Sequence, residues 1–362
     1  MKEGYAVKKR IGMIICLLFT AILALQGVTA YAAQVREEMR DKKNKDGKIK
    51  IVCMIFPQYD WLRKVIGEKI ENYDIKLLLD NGSELHSYQP TVEDMAEISS
   101  SDFFFYVGGE SDAWVKDALK SAKNPNLKAV SLLEMLEDYA KVEEDIEGAM
   151  EHKHEHEDAD HENEDENIST VDIRQEEKHE HGEEYDEHMW LSLKNAEVAV
   201  ERVSQIISEL DPENAFIYQK NSKQYKQNLQ SLDMQYENTV ENAKRKIILF
   251  GDRFPFRYLA DDYGLTYYAA FEGCSAETGV SFETIIFLAG KMDEENLPVI
   301  FTLENANKQL AKVIVENTNE KNQEILMLHS MQSVTKRQIN QEGFSYLGLM
   351  QENLNVLNEA LN

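Results

Sequence analysis

Short apolar runs alternate with amphipathic stretches in the first third of the chain, after residue 47. A run rich in β-branched residues begins at Lys48 and is closed by Pro57, and residues 59–67 follow with a helical pattern. Further strands are predicted at 73–79 and 103–107. Between them, Thr91 is the expected N-cap of a helix with acidic residues in its first turn. Strands that alternate with helices in this order indicate βαβ units and a mainly parallel sheet.

The same alternation returns in the last third of the chain. Strands are predicted at 246–250, 266–270 and 299–302, and helices near 255–263, 281–292, 306–317 and 346–361. Before them lies a helix predicted over 213–244, with Asp211 as its cap and Pro212 in its first turn. At 1.5 Å per residue it would be about 45 Å long. The pattern therefore predicts two α/β lobes with mainly parallel sheets, joined by a long rigid helix.

The N-terminal segment departs from this pattern. Lys8, Lys9 and Arg10 precede an apolar run over residues 11–28, which ends in Ala-Tyr-Ala before Ala33. This is typical of a secretory signal peptide that is cleaved after residue 32, and the alternative is a retained membrane anchor. Cys16 lies inside the apolar run and not after a lipobox. Either alternative places the body of the protein outside the cytoplasmic membrane.

Residues 143–187 are rich in Glu, Asp and His and almost free of apolar side chains. Such a stretch buries too little surface to offset its chain entropy, so it is predicted to be a solvated, disordered loop. Two roles remain open for it, weak accumulation of metal ions and a mere spacer. The predicted organisation is a signal peptide (1–32), an N-terminal α/β lobe (48–190) containing the loop 143–187, a helical region with the interlobe helix (191–244) and a C-terminal α/β lobe (245–362).

Composition narrows the possible functions. The 362 residues are 43% hydrophobic, as in a globular protein, and carry a formal net charge of −27. A chain this acidic lacks the clustered Lys and Arg that bind phosphate backbones, so nucleic-acid binding is excluded. Beyond the signal peptide only Cys53 and Cys274 remain, which permits one disulfide or two buried thiols.

The distribution of histidines points to metal chemistry. Six of the nine lie in the acidic loop, and the three in the folded body, His86, His188 and His329, fall in predicted loops at the ends of elements. Neutral imidazole binds Zn, Cu, Ni and Fe, and imidazoles that converge from different loops are the usual construction of a zinc site. The sequence contains neither H-E-x-x-H nor G-x-S-x-G, which argues against a metalloprotease or a serine hydrolase.

Two of these histidines stand in longer motifs. His86 begins His-Ser-Tyr-Gln-Pro-Thr, and His188 lies in Asp-Glu-His-Met-Trp-Leu, with the acidic loop between the two. The pair, in this order, resembles the motifs His-x-Tyr-x-Pro-Thr and Asp-x-His-x-Trp-Leu of the zinc and manganese substrate-binding proteins of ABC transporters, the cluster with a rigid interlobe helix. The resemblance extends from about Ile51 to the C-terminus.

The resemblance implies a metal site in the interlobe cleft, with His86 and His188 as the ligands from the N-terminal lobe. The family's third ligand position is occupied here by Arg253, which has no lone pair to offer a cation. Either the neighbouring Asp252 takes that role, or Asp252 and Arg253 form a structural pair. The fourth position corresponds to His329, where the family has Asp or Glu, and this exchange favours zinc over manganese.

The function that the resemblance implies is capture of Zn²⁺, with Mn²⁺ as the alternative metal. The protein would be exported, remain at the outer face of the cytoplasmic membrane or in the periplasm, and deliver the ion to the membrane permease of an ABC importer. It would be a monomer and not an enzyme. Two other functions remain open at this point, an extracellular metal-binding adhesin or buffer and a secreted zinc hydrolase.

Overall fold

The computed structural model describes residues 47–144, 146–149, 184–273 and 279–362. The predicted signal peptide and residues 150–183 of the acidic loop lie outside the described residues, as does Cys274. The described residues within 51–70 and 75–362 belong to one compact unit, from which residues 47–50 and 71–74 are separate. In the described part of the chain, no helix combines the length and the apolar character needed to cross a membrane.

Each half of the protein contains a four-stranded sheet with the same strand order. The N-terminal sheet has the order β2-β1-β3-β4 and is formed by β1 (Ile49–Cys53), β2 (Tyr73–Leu77), β3 (Phe103–Tyr106) and β4 (Lys128–Ser131). The C-terminal sheet has the order β6-β5-β7-β8 and is formed by β5 (Ile247–Phe254), β6 (Thr266–Glu272), β7 (Val299–Leu303) and β8 (Glu324–Leu328). The strand pairs β1–β3, β3–β4, β5–β6, β5–β7 and β7–β8 are parallel. The predicted pair of α/β lobes with parallel sheets is therefore confirmed.

Helices connect and cover these strands. In chain order they are α1 (Phe56–Ile66), α2 (Val92–Ser100), α3 (Val115–Lys120), α4 (Leu132–Met135), α5 (Leu193–Leu210), α6 (Ala215–Glu241), α7 (Arg257–Tyr263), α8 (Phe282–Glu294), α9 (Gln309–Glu316), α10 (Lys336–Ile339) and α11 (Tyr346–Leu361). Single 3₁₀ turns occur at Gly67–Asn72, Leu85–Ser87, Glu137–Tyr139, Met189–Leu191 and Pro212–Asn214. One of these turns contains His86, and His188 directly precedes another.

Several local expectations are confirmed, and two are wrong. The Thr91 hydroxyl accepts a hydrogen bond from the Asp94 backbone N–H at 3.1 Å, so Thr91 caps α2 as predicted. Pro57 does not close a strand but lies in the first turn of α1. Backbone N–H groups in the first turn make no hydrogen bond within the helix, so a proline there removes none. Asp211 does not cap the backbone of the following turn, because its carboxylate accepts from the side chains of Asn214 and Tyr218 instead.

The long helix α6 has 27 residues and contacts both lobes. At 1.5 Å per residue it is about 40 Å long. On the N-terminal side, the Asn221 side-chain amide donates to the Val65 carbonyl of α1 at 3.0 Å. On the C-terminal side, the Tyr236 hydroxyl donates to the Met350 carbonyl of α11 at 2.6 Å. The helix thus joins the lobes through a part-buried hydrogen bond on one side and a buried one on the other.

The acidic loop leaves and re-enters the fold at an ordered base. Val142 and Tyr185 form an antiparallel bridge, and the Glu143 N–H donates to the Glu184 carbonyl at 2.7 Å. The backbone N–H of Asp186 donates to the Lys141 carbonyl at 2.8 Å. Residues at the two ends of the stretch 143–187, which is predicted to be disordered, therefore form backbone hydrogen bonds with each other in a short ladder.

We predict that Tyr236→Phe lowers the free energy of unfolding by about 1–2 kcal/mol, because it leaves the buried Met350 carbonyl without its donor. Chemical denaturation with an unchanged m-value would measure this loss. The control is Tyr139→Phe, at an exposed position, for which we expect a change within about 0.5 kcal/mol. Equal stability of the two variants would show that α6 does not depend on this contact.

Candidate metal centre

Two 3₁₀ turns of the N-terminal lobe carry the histidines of the two motifs. His86 lies in the turn Leu85–Ser87, which Leu85 anchors through its fully buried side chain. His188 immediately precedes the turn Met189–Leu191, whose three residues are buried. Both imidazoles are thereby held on short, anchored segments.

The two imidazole rings face each other through their Nε2 atoms. The His86 Nε2 and the His188 Nε2 are 3.1 Å apart. Two nitrogens bound to one zinc at about 2.0–2.1 Å each would be about 3.1 Å apart at an N–Zn–N angle near 98°. The pair therefore has the spacing of two ligands of one metal ion, and also that of a single N–H···N hydrogen bond.

Asp186 fixes the orientation of the His188 ring. Its Oδ1 lies 2.9 Å from the His188 Nδ1 and also accepts the His188 backbone N–H at 2.8 Å. A carboxylate at Nδ1 holds the ring proton there, so the His188 Nε2 presents a lone pair. His188 is fully buried. The Tyr258 hydroxyl donates to the backbone carbonyl of Asp186 at 2.9 Å and so holds the residue that orients the His188 ring.

A hydroxyl and a second carboxylate lie behind the His86 ring. The His86 Nδ1 is 2.6 Å from the Ser111 Oγ, and the Ser111 N–H donates to the Glu187 Oε1 at 2.9 Å. The other oxygen, Glu187 Oε2, is 3.8 Å from the His86 Nδ1 and has no hydrogen-bond partner among the described residues. Gly109, at φ +97°, allows this approach, since a Cβ there would lie 2.4 Å from the Glu187 Oε1.

Burial sets the protonation of this cluster. The pKa of His86 is held well below its usual value, first by burial and then by the nearby His188 and Arg253. Burial also raises the pKa of Glu187 to about 7. The His86 ring is therefore neutral at physiological pH, which is the form that binds a metal ion.

In the C-terminal lobe, the Asp252 carboxylate and the Arg253 guanidinium have different partners. The Asp252 oxygens accept the backbone N–H groups of Arg253 at 2.9 Å and of Leu303 at 3.0 Å. Burial raises the pKa of this carboxyl. The Arg253 guanidinium pairs with Glu84, which lies two residues before His86. The guanidinium thus joins the two lobes beside the His86 turn.

His329 follows β8 and is buried, but its bonding is not that of a prepared ligand. Its Nδ1 accepts the Met331 backbone N–H at 3.0 Å, which leaves the ring proton on Nε2. That Nε2 has no hydrogen-bond partner among the described residues. Nearby, the Glu304 carboxylate accepts the Ser330 N–H at 2.7 Å and the Ser330 hydroxyl at 2.8 Å.

The structure brings together two of the four residues singled out in the sequence. His86 and His188 meet, whereas within 47–144, 146–149, 184–273 and 279–362 no group of three or more His, Cys, Asp or Glu side chains is close enough to hold a metal ion. Sequence reasoning missed the positioning roles of Asp186, Ser111 and Glu187. The first stands in the second motif and could have been found there, but nothing in the sequence connects Ser111 to His86.

Two cavities are lined in part by His86. The larger, about 650 Å³, is lined by Glu84 and His86 from one lobe and by Asp252 and Arg253 from the other. The smaller, about 210 Å³, lies at the base of the acidic loop and is lined by His86, Ser111, Tyr185 and four glutamates (Glu110, Glu143, Glu184 and Glu187). A cation can therefore approach the pair from an acidic side.

Comparison with known proteins gives consistent matches. The family model described as "ZnuA: Zinc-uptake complex component A periplasmic" matches residues 51–360. The chain is 28% identical over 323 residues to the zinc-binding lipoprotein AdcA of Streptococcus pneumoniae (strain R6), covering 88% of this chain and 57% of that protein. It thus spans little more than half the length of AdcA. It is also 28% identical to the high-affinity zinc uptake system protein ZnuA of Bacillus subtilis, covering 88% of this chain and 89% of that protein.

Among solved structures, the Zn(II)-bound ZnuA-like domain of Streptococcus pneumoniae AdcA superposes with a TM-score of 0.63. The match covers 87% of this chain and 99% of that domain, at 24% sequence identity. At this identity the likeness is one of fold.

We predict that Asp186→Asn weakens binding of Zn²⁺ by about 10–100-fold, because an amide no longer fixes the proton on the His188 Nδ1. Competition with a chromophoric chelator would measure the affinity, and the spectrum of bound Co²⁺ would report a change at the metal. The matched control is Asp262→Asn, a carboxylate that accepts from Ser192 and has no contact with the pair. An unchanged affinity and spectrum in Asp186→Asn would contradict the positioning role.

Proposed function

This chain belongs to the family of periplasmic zinc-uptake complex component A, and on that premise we propose that it captures Zn²⁺ outside the cytoplasmic membrane and delivers it to an ABC importer. The observation that carries the proposal is the pair of buried imidazoles, His86 and His188, whose Nε2 atoms are 3.1 Å apart. Imidazole nitrogens at this spacing match zinc and the later divalent transition metals better than manganese, which prefers oxygen ligands.

The surroundings of the pair support both an empty and a loaded state. Without metal, the Ser111 hydroxyl donates to the His86 Nδ1, and the His86 Nε2–H donates to the lone pair on the His188 Nε2. With Zn²⁺ at Nε2, the His86 ring would carry its proton on Nδ1 and donate a hydrogen bond to the Ser111 Oγ. Since a hydroxyl both donates and accepts, Ser111 can serve either tautomer by turning its O–H.

The two carboxylates behind the rings match the charge of the ion. Asp186 contacts the His188 Nδ1 directly, and Glu187 lies 3.8 Å from the His86 Nδ1. Both side chains are more than nine-tenths buried, so the interaction with a dication is weakly screened. Zn²⁺ between the rings would stabilise the charged form of Glu187. The Oε2 of this carboxylate has no hydrogen-bond partner among the described residues, so its charge is not already compensated there.

His329 and Asp252 remain proposed donors from the C-terminal lobe. Each would have to change its bonding first. His329 would have to release the Met331 N–H from its Nδ1 or rotate its ring, and Asp252 would have to give up a backbone N–H. A conformational change of this kind is driven only by the contacts that the ion makes differently in the two states.

The remaining parts of the proposal concern location and organisation. We propose that the chain is exported and works as a monomer with the permease as its partner. The N-terminal lobe would extend over 48–190, the helical region over 191–244 and the C-terminal lobe over 245–362. The proteins of this family are components of zinc-uptake complexes. We propose that the chain has no catalytic activity.

We predict that His86→Ala and His188→Ala each weaken Zn²⁺ binding by more than the roughly 10–100-fold expected for an outer-shell residue, because each removes a donor atom. Calorimetric competition titrations would measure this, with thermal unfolding of the metal-free proteins as the test of folding. His154→Ala, in the acidic loop, is the control for loss of a histidine. We expect smaller losses for His329→Ala and Asp252→Ala. Parental affinity in His188→Ala would refute the site.

We also predict that replacing residues 150–183 by a short Gly-Ser linker leaves the tight Zn²⁺ site unchanged within about threefold and removes only weak additional binding. The paired base of the loop, Val142 with Tyr185 and Glu143 with Glu184, is retained in this variant. An unfolded segment must be ordered when it binds, which limits its affinity. A large loss of tight binding in calorimetry would place ligands of the tight site inside the loop.

A further inference from the structure

The smaller cavity, at the base of the acidic loop, has a lining that favours a cation. Its volume is about 210 Å³, and four of its seven lining residues are glutamates (Glu110, Glu143, Glu184 and Glu187). No Lys or Arg is among the described residues that line it. The lining also includes Ser111, whose hydroxyl contacts the His86 Nδ1. The cavity therefore lies on the Nδ1 side of the His86 ring, whereas His188 contacts the ring at Nε2.

Glu187 provides the observation that points to a ligand in this cavity. The residue is only 3% exposed, and its Oε1 accepts the Ser111 backbone N–H at 2.9 Å. Its Oε2 is buried and has no hydrogen-bond partner among the described residues. A buried carboxylate oxygen without a donor is costly, so native structures pair such an oxygen with a donor, an ordered water or a cation. An occupant of the cavity that donates hydrogen bonds would satisfy it.

The backbone places two more of the glutamates opposite each other. Val142 and Tyr185 form the antiparallel bridge at the base of the loop, and next to it the Glu143 N–H donates to the Glu184 carbonyl at 2.7 Å. Residues that lie opposite each other in an antiparallel pair have their Cβ atoms about 4.5–5.5 Å apart, and like charges at such positions are destabilising. A cation in the cavity that both residues line would offset this repulsion.

The spacing of these side chains excludes direct coordination of a bare ion. In the described part of the chain, no three His, Cys, Asp or Glu side chains are close enough to hold a metal ion between them. The volume of about 210 Å³ instead equals that of about seven water molecules at about 30 Å³ each, which is close to the size of a divalent cation with a shell of six waters. Hard dications such as Mg²⁺ keep several of their waters when carboxylates bind them.

We propose that the smaller cavity is a second cation site, which holds a hydrated divalent cation through hydrogen bonds from the cation's waters to the four glutamates. One of these waters donates to the Glu187 Oε2 and so supplies its missing partner. The site uses neither Nε2 atom of the imidazole pair, so it is separate from the proposed zinc site and does not depend on it. Hydrated Mg²⁺ and hydrated Zn²⁺ share the required chemistry, and the experiment distinguishes between them.

The test titrates the full, metal-free chain with cobalt(III) hexammine in a calorimeter. This complex resembles a hydrated cation but does not exchange its ammine ligands, so it cannot coordinate an imidazole and binds only through its N–H groups. We expect one saturable site in the parent, weakened about 10-fold in the double variant Glu110→Gln/Glu184→Gln, which removes two exposed charges from the lining. The matched control is Glu213→Gln/Glu342→Gln, which removes two exposed charges that do not line the cavity.

Equal losses in the two double variants would show a general attraction to an acidic protein and overturn the site, as would the absence of a saturable site in the parent. The occupant is then identified by displacement of cobalt(III) hexammine from protein to which one equivalent of Zn²⁺ has been added. Displacement by Mg²⁺ assigns the site to hard dications, and displacement by further Zn²⁺ alone assigns it to zinc. If neither ion displaces the complex, the cavity is not a site for divalent cations. None of these outcomes alters the test of the imidazole pair.

Discussion

The approach of two buried imidazole nitrogens to 3.1 Å is the constraint on which the rest of the site depends. Two lone pairs at this distance repel each other unless a proton or a cation lies between them. The His188 lone pair is fixed by Asp186, so only the His86 tautomer can change. Ser111 accommodates either tautomer. In the proposed function, a proton and a metal ion would therefore compete for this one position.

The segment that carries His188 is tied to the C-terminal lobe, and this limits how the lobes can move. The Trp190 indole donates to the Ser330 carbonyl at 2.8 Å, and the Tyr346 hydroxyl donates to the Trp190 carbonyl at 2.6 Å. Tyr258 holds the Asp186 carbonyl from the same side. Together with α6, these buried bonds favour small adjustments at the cavity over a wide hinge motion.

Arg253 places a positive charge beside the imidazole pair. A guanidinium near His86 disfavours an uncompensated dication, and its bond to Glu84 links the lobes in the place where a ligand would otherwise do so. If the pair binds a metal ion as proposed, Asp186 and Glu187 behind the rings are the carboxylates that would balance its charge.

The sequence by itself determined the elements and the two histidines that meet. Apolar periodicity predicted three of the four strands in each sheet, since burial of one face requires it, but it did not predict β4 or β8. The motifs around His86 and His188 placed those residues at the ends of elements. Strand ends shifted by a few residues, as at Pro57, because local patterns do not record which backbone groups find partners. Only the tertiary structure decided that Ser111 and Glu187 support His86, that Arg253 pairs with Glu84 and that His329 accepts the Met331 N–H. These are contacts between segments far apart in the chain or within an irregular turn, and no periodicity encodes them.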